Sequence, residues 1–164
     1  MRYNKIRKMD IANGPGIRVS VFFQGCAFHC KNCFNPETWD FDAGLEFGDE
    51  QIEEIINLAK EDHIAGLSIL GGEPMHPKNI EATTKLAKRF KEVYPNKTIW
   101  SWSGFLFDEY IKKHEVVNYI DVIVDGQFVD ELRNPNLKWR GSSNQRVIDV
   151  KKSLKQNKVV LYEE

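Results

Sequence analysis

Cysteine is scarce in this 164-residue chain: there are three, an odd number that leaves no complete disulfide framework. Charge of one sign is lacking too. Lys and Arg number 23 against 24 Asp and Glu, and a net charge of -1 gives no general pull toward a nucleic-acid backbone, so nucleic acid is not expected as a partner. No apolar run approaches the roughly 20 residues that a membrane span requires. The cations among residues 1–10 are not followed by the apolar stretch of a secretory signal. We therefore expect no membrane association and a cytoplasmic location, a compartment that keeps thiols reduced. Internal repeats and low-complexity segments are also lacking. With 41% hydrophobic and 29% charged residues, the chain reads as a single globular domain over 1–164, long enough to hold a real core.

What is present is concentrated in the run 23–36, which holds Cys26, Cys30 and Cys33 in the spacing C-x3-C-x2-C. That spacing lets a short loop fold round one centre, and thiolates are the ligands that iron-sulfur clusters select. A cubane cluster has four irons, so three cysteines leave one iron open to substrate. Catalytic zinc likewise keeps open a position that structural zinc closes. The spacing points to a cluster that does chemistry. A zinc site completed by His29, His63, His76 or His114 is the other reading, although structural zinc motifs usually divide into two separated ligand pairs. His29, directly beside Cys30, reads as a loop residue.

Strand and helix signals alternate along the chain. Strands are expected at 18–23, 66–70, 98–102, 120–124 and 145–150, with a sixth strand or edge ribbon at 158–162. Asp49 is expected to cap a helix that buries Ile52, Ile55, Ile56 and Ala59. A second helix over 77–94 has Thr83, Leu86, Phe90 and Val93 as its better core row, and a short helix is expected at 107–113. In the connection 35–48, Trp39, Phe41, Leu45 and Phe47 are expected to pack inward. Several strands run into polar or glycine-containing sequence. The first delivers the cysteine loop, the second ends in Gly71-Gly72-Glu73-Pro74, the third leads to Ser101 and Ser103, and the fourth ends in Asp125-Gly126. In parallel α/β folds ligands bind at the carboxyl ends of strands, which argues for one shared site. Ser101 and Ser103 are candidates to bond a ligand carboxylate or ribose, or to cap and turn the chain.

C-x3-C-x2-C followed by Gly71-Gly72-Glu73-Pro74 resembles the radical S-adenosylmethionine superfamily. Within it, Gly14-Pro15-Gly16-Ile17-Arg18, Cys33-Phe34-Asn35-Pro36 and the late run 140–146 resemble the activating proteins of anaerobic (class III) ribonucleotide reductases. The resemblance implies a [4Fe-4S] cluster on the three cysteines and S-adenosylmethionine on the open iron. Its amino group would meet Gly71, Gly72 and Glu73, and Asn32, Cys33, Phe34, Ser101, Ser103 and Asp125 are further cofactor-binding candidates. Many superfamily members carry an aromatic just before the third cysteine; this chain has Asn32 there, with Phe34 adjacent. Arg140, Asn144, Gln145 and Arg146 are candidates for anchoring the carboxylate or docking a partner. The implied protein substrate is the large subunit of anaerobic ribonucleotide reductase, with another glycyl radical enzyme of formate-lyase type as the alternative, and the implied electron donor is a flavodoxin-type reductant. A complete eightfold barrel needs about 250 residues. The expected fold is therefore a partial (β/α) barrel of parallel strands with flanking helices.

Overall fold

A computed structural model describes residues 1–163. Its strands are β1 (Arg2–Asp10), β2 (Ile17–Phe23), β3 (Leu45–Glu46), β4 (Ile64–Gly71), β5 (Thr98–Ser103), β6 (Val122–Asp125) and β7 (Arg146–Asp149). Its α-helices are α1 (Asp49–Leu58), α2 (Ile80–Val93) and α3 (Val150–Gln156). All seven strands form one sheet in the order β3-β1-β2-β4-β5-β6-β7. The pairs β2-β4, β4-β5 and β5-β6 are parallel, whereas β1-β2, β1-β3 and β6-β7 are antiparallel.

This corrects the expected partial (β/α) barrel. The sheet is mixed and open, with antiparallel strands at both edges and three helices. The reasons are local. The connection 11–16 between β1 and β2 is too short for a parallel crossover, so the first 23 residues form an antiparallel pair. The β5-β6 connection carries only 3-10 turns, Ile111–Lys113 and Glu115–Asn118, in place of the expected helix at 107–113. At the carboxyl end, 158–162 supplies one bridge, Ile148 to Leu161, rather than a strand.

Strand alternation divides the sheet into two chemically different faces. Val19, Val21, Phe23, Leu67, Ile69, Ile99 and Ile123 point into the core, where they meet Ile52, Ile55 and Ile56 of α1 and Leu86, Ala87 and Phe90 of α2. Each fully buried Leu, Ile or Phe contributes about 2 kcal/mol relative to exposure. Val93, the end of the row read from sequence, lies at the exposed rim, and Ala87 takes its place. Helix α1 starts at Asp49, as its pattern requires, but the cap is Gly48, whose N–H donates to Gln51 Oε1 at 2.8 Å.

The opposite face carries Arg18, Ser20, Phe22, Ser68, Leu70, Trp100 and Trp102. The loop 11–16 seals one end of it. Arg18 is fully buried and donates to Ser68 Oγ (2.9 Å), Thr98 Oγ1 (3.0 Å) and the carbonyls of Pro15 (3.2 Å), Leu67 (3.1 Å) and Thr98 (2.8 Å). Five N–H groups thus find oxygen acceptors without a carboxylate, and burial brings the guanidinium pKa down to about 10. Asp10 fastens the loop from the other side, accepting from Ala12 N and Asn13 Nδ2, while Ser68 Oγ donates to Asn13 O at 2.6 Å. Burial would raise the Asp10 carboxyl, but hydrogen bonds from Asn13, the Ser20 hydroxyl and Ala12 N hold it below its ordinary range.

Candidate active site

The unsealed part of that face is a cavity of about 530 Å³. Cys26, Cys30 and Cys33 all line it, with Gly71, Gly72, Glu73, Ser103 and Gly104 from the ends of β4 and β5. The chain reaches this arrangement by sharp local turns. Beyond β2, Gly25 takes φ +105° and donates to Thr38 O at 2.7 Å, and Cys26 N donates to Trp39 O at 3.1 Å. His29 (φ 48°) and Asn32 (φ 57°) adopt left-handed backbone, which curls the loop so that the thiols share one cavity. The His29 ring stacks on Trp39 at 4.4 Å, and neither it nor any other histidine lines the cavity. His76 Nδ1 accepts from Lys78 N, and His114 Nδ1 lies 2.9 Å from Tyr110 O. Among the described residues, no group of three His, Cys, Asp or Glu side chains converges where one ion would be held.

The donor set fits a cluster: three thiols with no competing imidazole border a cavity larger than a single ion needs. Burial pushes the Cys26 and Cys30 thiols up, and the negative charge of Glu73 adds to this. Iron binding would therefore release their protons.

Gly71 and Gly72 are stitched to the cysteine strand by main chain. Gly72 N donates to Phe23 O at 2.9 Å and Glu73 N to Gly25 O at 2.8 Å. Gly71 has φ +120°, and a Cβ there would overlap the backbone of Phe22 and Phe23. At Gly72 a Cβ would lie 2.5 Å from Gly25 O and 2.7 Å from Thr38 O. The glycines thus answer a close approach of the protein's own backbone, in addition to the ligand approach read from sequence.

Glu73 is 1% exposed. Its Oε1 accepts from Gly104 N (2.6 Å), and its Oε2 accepts from Ser103 Oγ (2.8 Å) and Met75 N (2.9 Å). Burial pushes this carboxyl up to about 7 even though the three donors pull it down. All three partners are neutral, so an arriving ammonium would be the first close cation. Asn79, which the sequence reading did not single out, is buried beside it. Its Nδ2 donates to Glu73 O (3.0 Å) and Gln24 O (3.2 Å), pinning both strand ends to the start of α2. A polar residue two turns before an apolar helical row was the signal available, and it is a weak one.

The remaining candidates are dispersed. Phe34 lines the cavity, with its ring 5.0 Å from Phe128 and under Arg133. Asn32 lies outside the cavity wall and donates to Asp130 Oδ2 at 3.0 Å. Ser101 is fully buried on the core side and donates to Ile69 O at 2.9 Å. Asp125 is also fully buried behind the wall. It accepts from Phe107 N (2.7 Å) and from Arg146 Nε (3.0 Å) and Nη2 (2.6 Å). Arg146 also reaches Asp108 at 2.7 Å, and the two carboxylates raise its pKa.

The connection 126–145 builds much of the far wall, with Gly126, Gln127, Phe128, Arg133, Leu137, Trp139 and Arg140 facing the cavity. Arg140 Nη1 donates to Ser143 O and Gln145 O, while Gln145 Oε1 accepts from Gly141 N and Ser142 N. Asn144 Nδ2 donates to Gln127 O. The run 140–146 is therefore the internal frame of this long connection. The sequence reading placed Gln127 at the end of the fourth strand but missed Phe128, which belongs to no periodic pattern.

A cysteine loop and a glycine-glycine-glutamate turn on one cavity define an iron-sulfur protein. In agreement, the 4Fe-4S single cluster domain family matches residues 12–148. Relatives named anaerobic ribonucleoside-triphosphate reductase-activating protein align over nearly the whole chain. That of Haemophilus influenzae is 41% identical over 148 residues, covering 88% of this chain and 96% of the relative. That of Escherichia coli (strain K12) is 41% identical over 150 residues, covering 90% and 97%. That of Enterobacteria phage T4 is 39% identical over 147 residues, covering 90% and 93%. The chain belongs to the family of anaerobic ribonucleoside-triphosphate reductase-activating proteins.

Proposed function

We propose that this protein activates an anaerobic ribonucleoside-triphosphate reductase by generating a glycyl radical on it, through reductive cleavage of S-adenosylmethionine at a [4Fe-4S] cluster. One observation carries the reading: the only three thiols of the chain and the Gly71-Gly72-Glu73 turn line the same cavity. When bound and reduced, the cluster would supply the single electron needed for reductive cleavage of S-adenosylmethionine, and so for removal of a hydrogen atom from the reductase glycine.

The residues of this chain bind and orient. Cys26, Cys30 and Cys33 would hold the cluster, and with three thiolates for four irons they would leave one position for a ligand. The Gly71-Glu73 turn presents main-chain carbonyls and a buried carboxylate to an ammonium group, a charge-assisted contact stronger than a neutral hydrogen bond. Phe22, Phe28, Leu70, Trp102 and Phe128 make the wall apolar and exclude water from a reactive intermediate. No side chain is assigned as general acid or base, because the cofactor carries the chemistry. The physiological reductant in this reading is a flavodoxin-type protein, and the compartment is the cytoplasm. No helix among the described residues is long and apolar enough to cross a membrane.

The test is anaerobic reconstitution with iron and sulfide, followed by mixing with the reductase, S-adenosylmethionine and a one-electron reductant. A glycyl doublet in electron paramagnetic resonance and the onset of nucleotide reduction are expected. Cleavage of S-adenosylmethionine with a radical formed only on a formate-lyase-type enzyme would replace the named substrate.

A further inference from the structure

Each cysteine sulfur of the cavity is met by main-chain N–H groups. Asn35 N donates to Cys33 Sγ at 3.4 Å. The N–H groups of Phe28 and His29 reach Cys26, and that of Phe128 reaches Cys30. These donors belong to the backbone and are the same whatever side chains the loop carries. Among the described residues one side chain joins them: the Cys30 thiol donates to Gln127 Oε1 across 3.9 Å. Gln127 lines the cavity, and its carboxamide makes no other hydrogen bond among the described residues.

Gln127 is held at this place from both sides. Its own carbonyl accepts from Asn144 Nδ2 at 2.8 Å, and the carbonyl of Gly126 accepts from Gln145 Nε2 at 2.9 Å. Farther along, the connection 126–145 runs beside the cysteine loop. Asn32 Nδ2 donates to Asp130 Oδ2 at 3.0 Å, and the Phe34 and Phe128 rings are 5.0 Å apart. Gly141 lets that pair close up, because a Cβ there would lie 2.7 Å from the Phe34 ring. Cys30 and Gln127 are 97 residues apart in the chain, and contacts flanking the pair set the register in which they meet.

The sense of this contact must change with the state of the sulfur. A thiol has a proton to donate and finds the carboxamide oxygen. A thiolate on iron has none, and the same oxygen would oppose its charge. A half-turn of the terminal amide replaces Oε1 by Nε2, which carries two N–H groups. We propose that in the loaded protein Gln127 donates an N–H to the Cys30 thiolate and thereby raises the reduction potential of the [4Fe-4S] centre. The inference rests on the function proposed above. Its basis is charge: reduction adds a negative charge that the sulfurs share, so a donor to sulfur stabilises the reduced state more than the oxidised one. Gln127 is thus a positioning residue that acts through Cys30 and eases the uptake of the single electron with which the reaction begins.

The test uses the anaerobically reconstituted chain without S-adenosylmethionine and reads the midpoint potential in a redox titration followed by electron paramagnetic resonance. Gln127→Leu removes the amide at similar bulk, while Gln127→Glu keeps the shape and at about pH 8 offers acceptors only. Asn136→Leu, an exposed carboxamide of the same connection, is the control. Gln127→Leu is expected to shift the one-electron equilibrium toward the oxidised form on the order of tenfold, a fall of about 59 mV. Gln127→Glu should fall at least as far, and it decides the matter alone if the Leu variant assembles poorly. Iron and sulfide content in Gln127→Glu, and the potential of Asn136→Leu, should match wild type. Equilibria within about twofold of wild type in the Gln127 variants, on a full cluster, overturn this inference and leave the proposed function standing. If those variants instead lose affinity for S-adenosylmethionine at an unchanged potential, Gln127 is a ligand contact and the inference fails. A wild type that assembles no [4Fe-4S] centre overturns the proposed function, and this reading with it.

Discussion

The main-chain N–H of Glu73 donates to the carbonyl of Gly25 across 2.8 Å, joining the residue that ends the glycine turn to the residue that precedes the first cysteine. The cysteine loop and the glycine turn are therefore one backbone unit. Whatever displaces one displaces the other, and this coupling decides how substitutions in either motif should behave.

Gly72→Val is expected to damage both functions together. A Cβ at this position would sit against Gly25 O and Thr38 O, which are backbone atoms that cannot swing aside. Overpacking of this kind costs about 1–3 kcal/mol or more. Thermal denaturation of the apoprotein should show a lower midpoint, and reconstitution should yield less iron and sulfide. A variant that keeps wild-type stability and full cluster content, losing only affinity for S-adenosylmethionine, would show that the glycine serves the ligand alone.

Replacing Cys26, Cys30 or Cys33 singly by Ala should abolish the brown chromophore of the anaerobically reconstituted protein. With three cysteines in the chain, none would be redundant. Iron and sulfide assays and visible absorption decide it, and full content in all three variants would remove the cluster assignment.

Glu73 predicts a pH dependence of known sign. Its carboxyl stands at about 7 in the folded protein, raised from 4.5. Between these values the unfolded chain has released the proton and the native state retains it, so stability must fall as pH rises through this window. The slope approaches about 1.4 kcal/mol per pH unit for a fully buried group. Denaturant titrations from pH 4.5 to 7.5 should show the decline, and Glu73→Gln should remove it. A bound ammonium reverses the preference, because it favours the ionised carboxylate. Binding of S-adenosylmethionine to the reconstituted protein should then release a proton below pH 7, visible by calorimetry in buffers of different ionisation enthalpy. Equal heats in such buffers at pH 6 would dissociate Glu73 from the ligand.

Arg146→Ala should destabilise the fold while leaving the cysteines able to assemble a cluster. The substitution strips a fully buried Asp125 of its ion pair, and uncompensated burial of a carboxylate costs about 3 kcal/mol. Urea denaturation measures this loss. A change below about 0.5 kcal/mol, the range of an ordinary surface substitution, would mean that Asp125 is already neutralised by other means.

Much of the site was legible because its chemistry is written in contiguous residues. Cys26, Cys30, Cys33 and Gly71-Gly72-Glu73 announce themselves by type and spacing, and the strands that deliver them are short apolar runs. What escaped was set by distant partners. Whether a strand lies parallel is decided by its connection, and the strand β1, with Lys5, Arg7 and Lys8 in it, has too little apolar alternation to be noticed before its neighbour is known. Ser101 and Ser103 share one face of β5, yet Ser101 is buried mid-strand on Ile69 O, whereas Ser103 closes the strand, where it reaches Glu73 and the cavity. Asn79 acts through three carbonyls that come together only after folding.

The Arg18 network carries a consequence for how the protein ages in air. The hydrogen bonds from Arg18 to Ser68, Thr98, Pro15 and Leu67, and those of Asp10 to the loop 11–16, include no cysteine. The helix-covered core is equally independent of the thiols. Oxygen that strips the iron should therefore leave a shell whose lower half remains closed and whose damage is confined to the curled loop 24–39. Such a husk should take up iron and sulfide again once reductant returns, which anaerobic reconstitution of the air-exposed protein measures, and the fold would then serve as a reusable cartridge for a perishable inorganic charge.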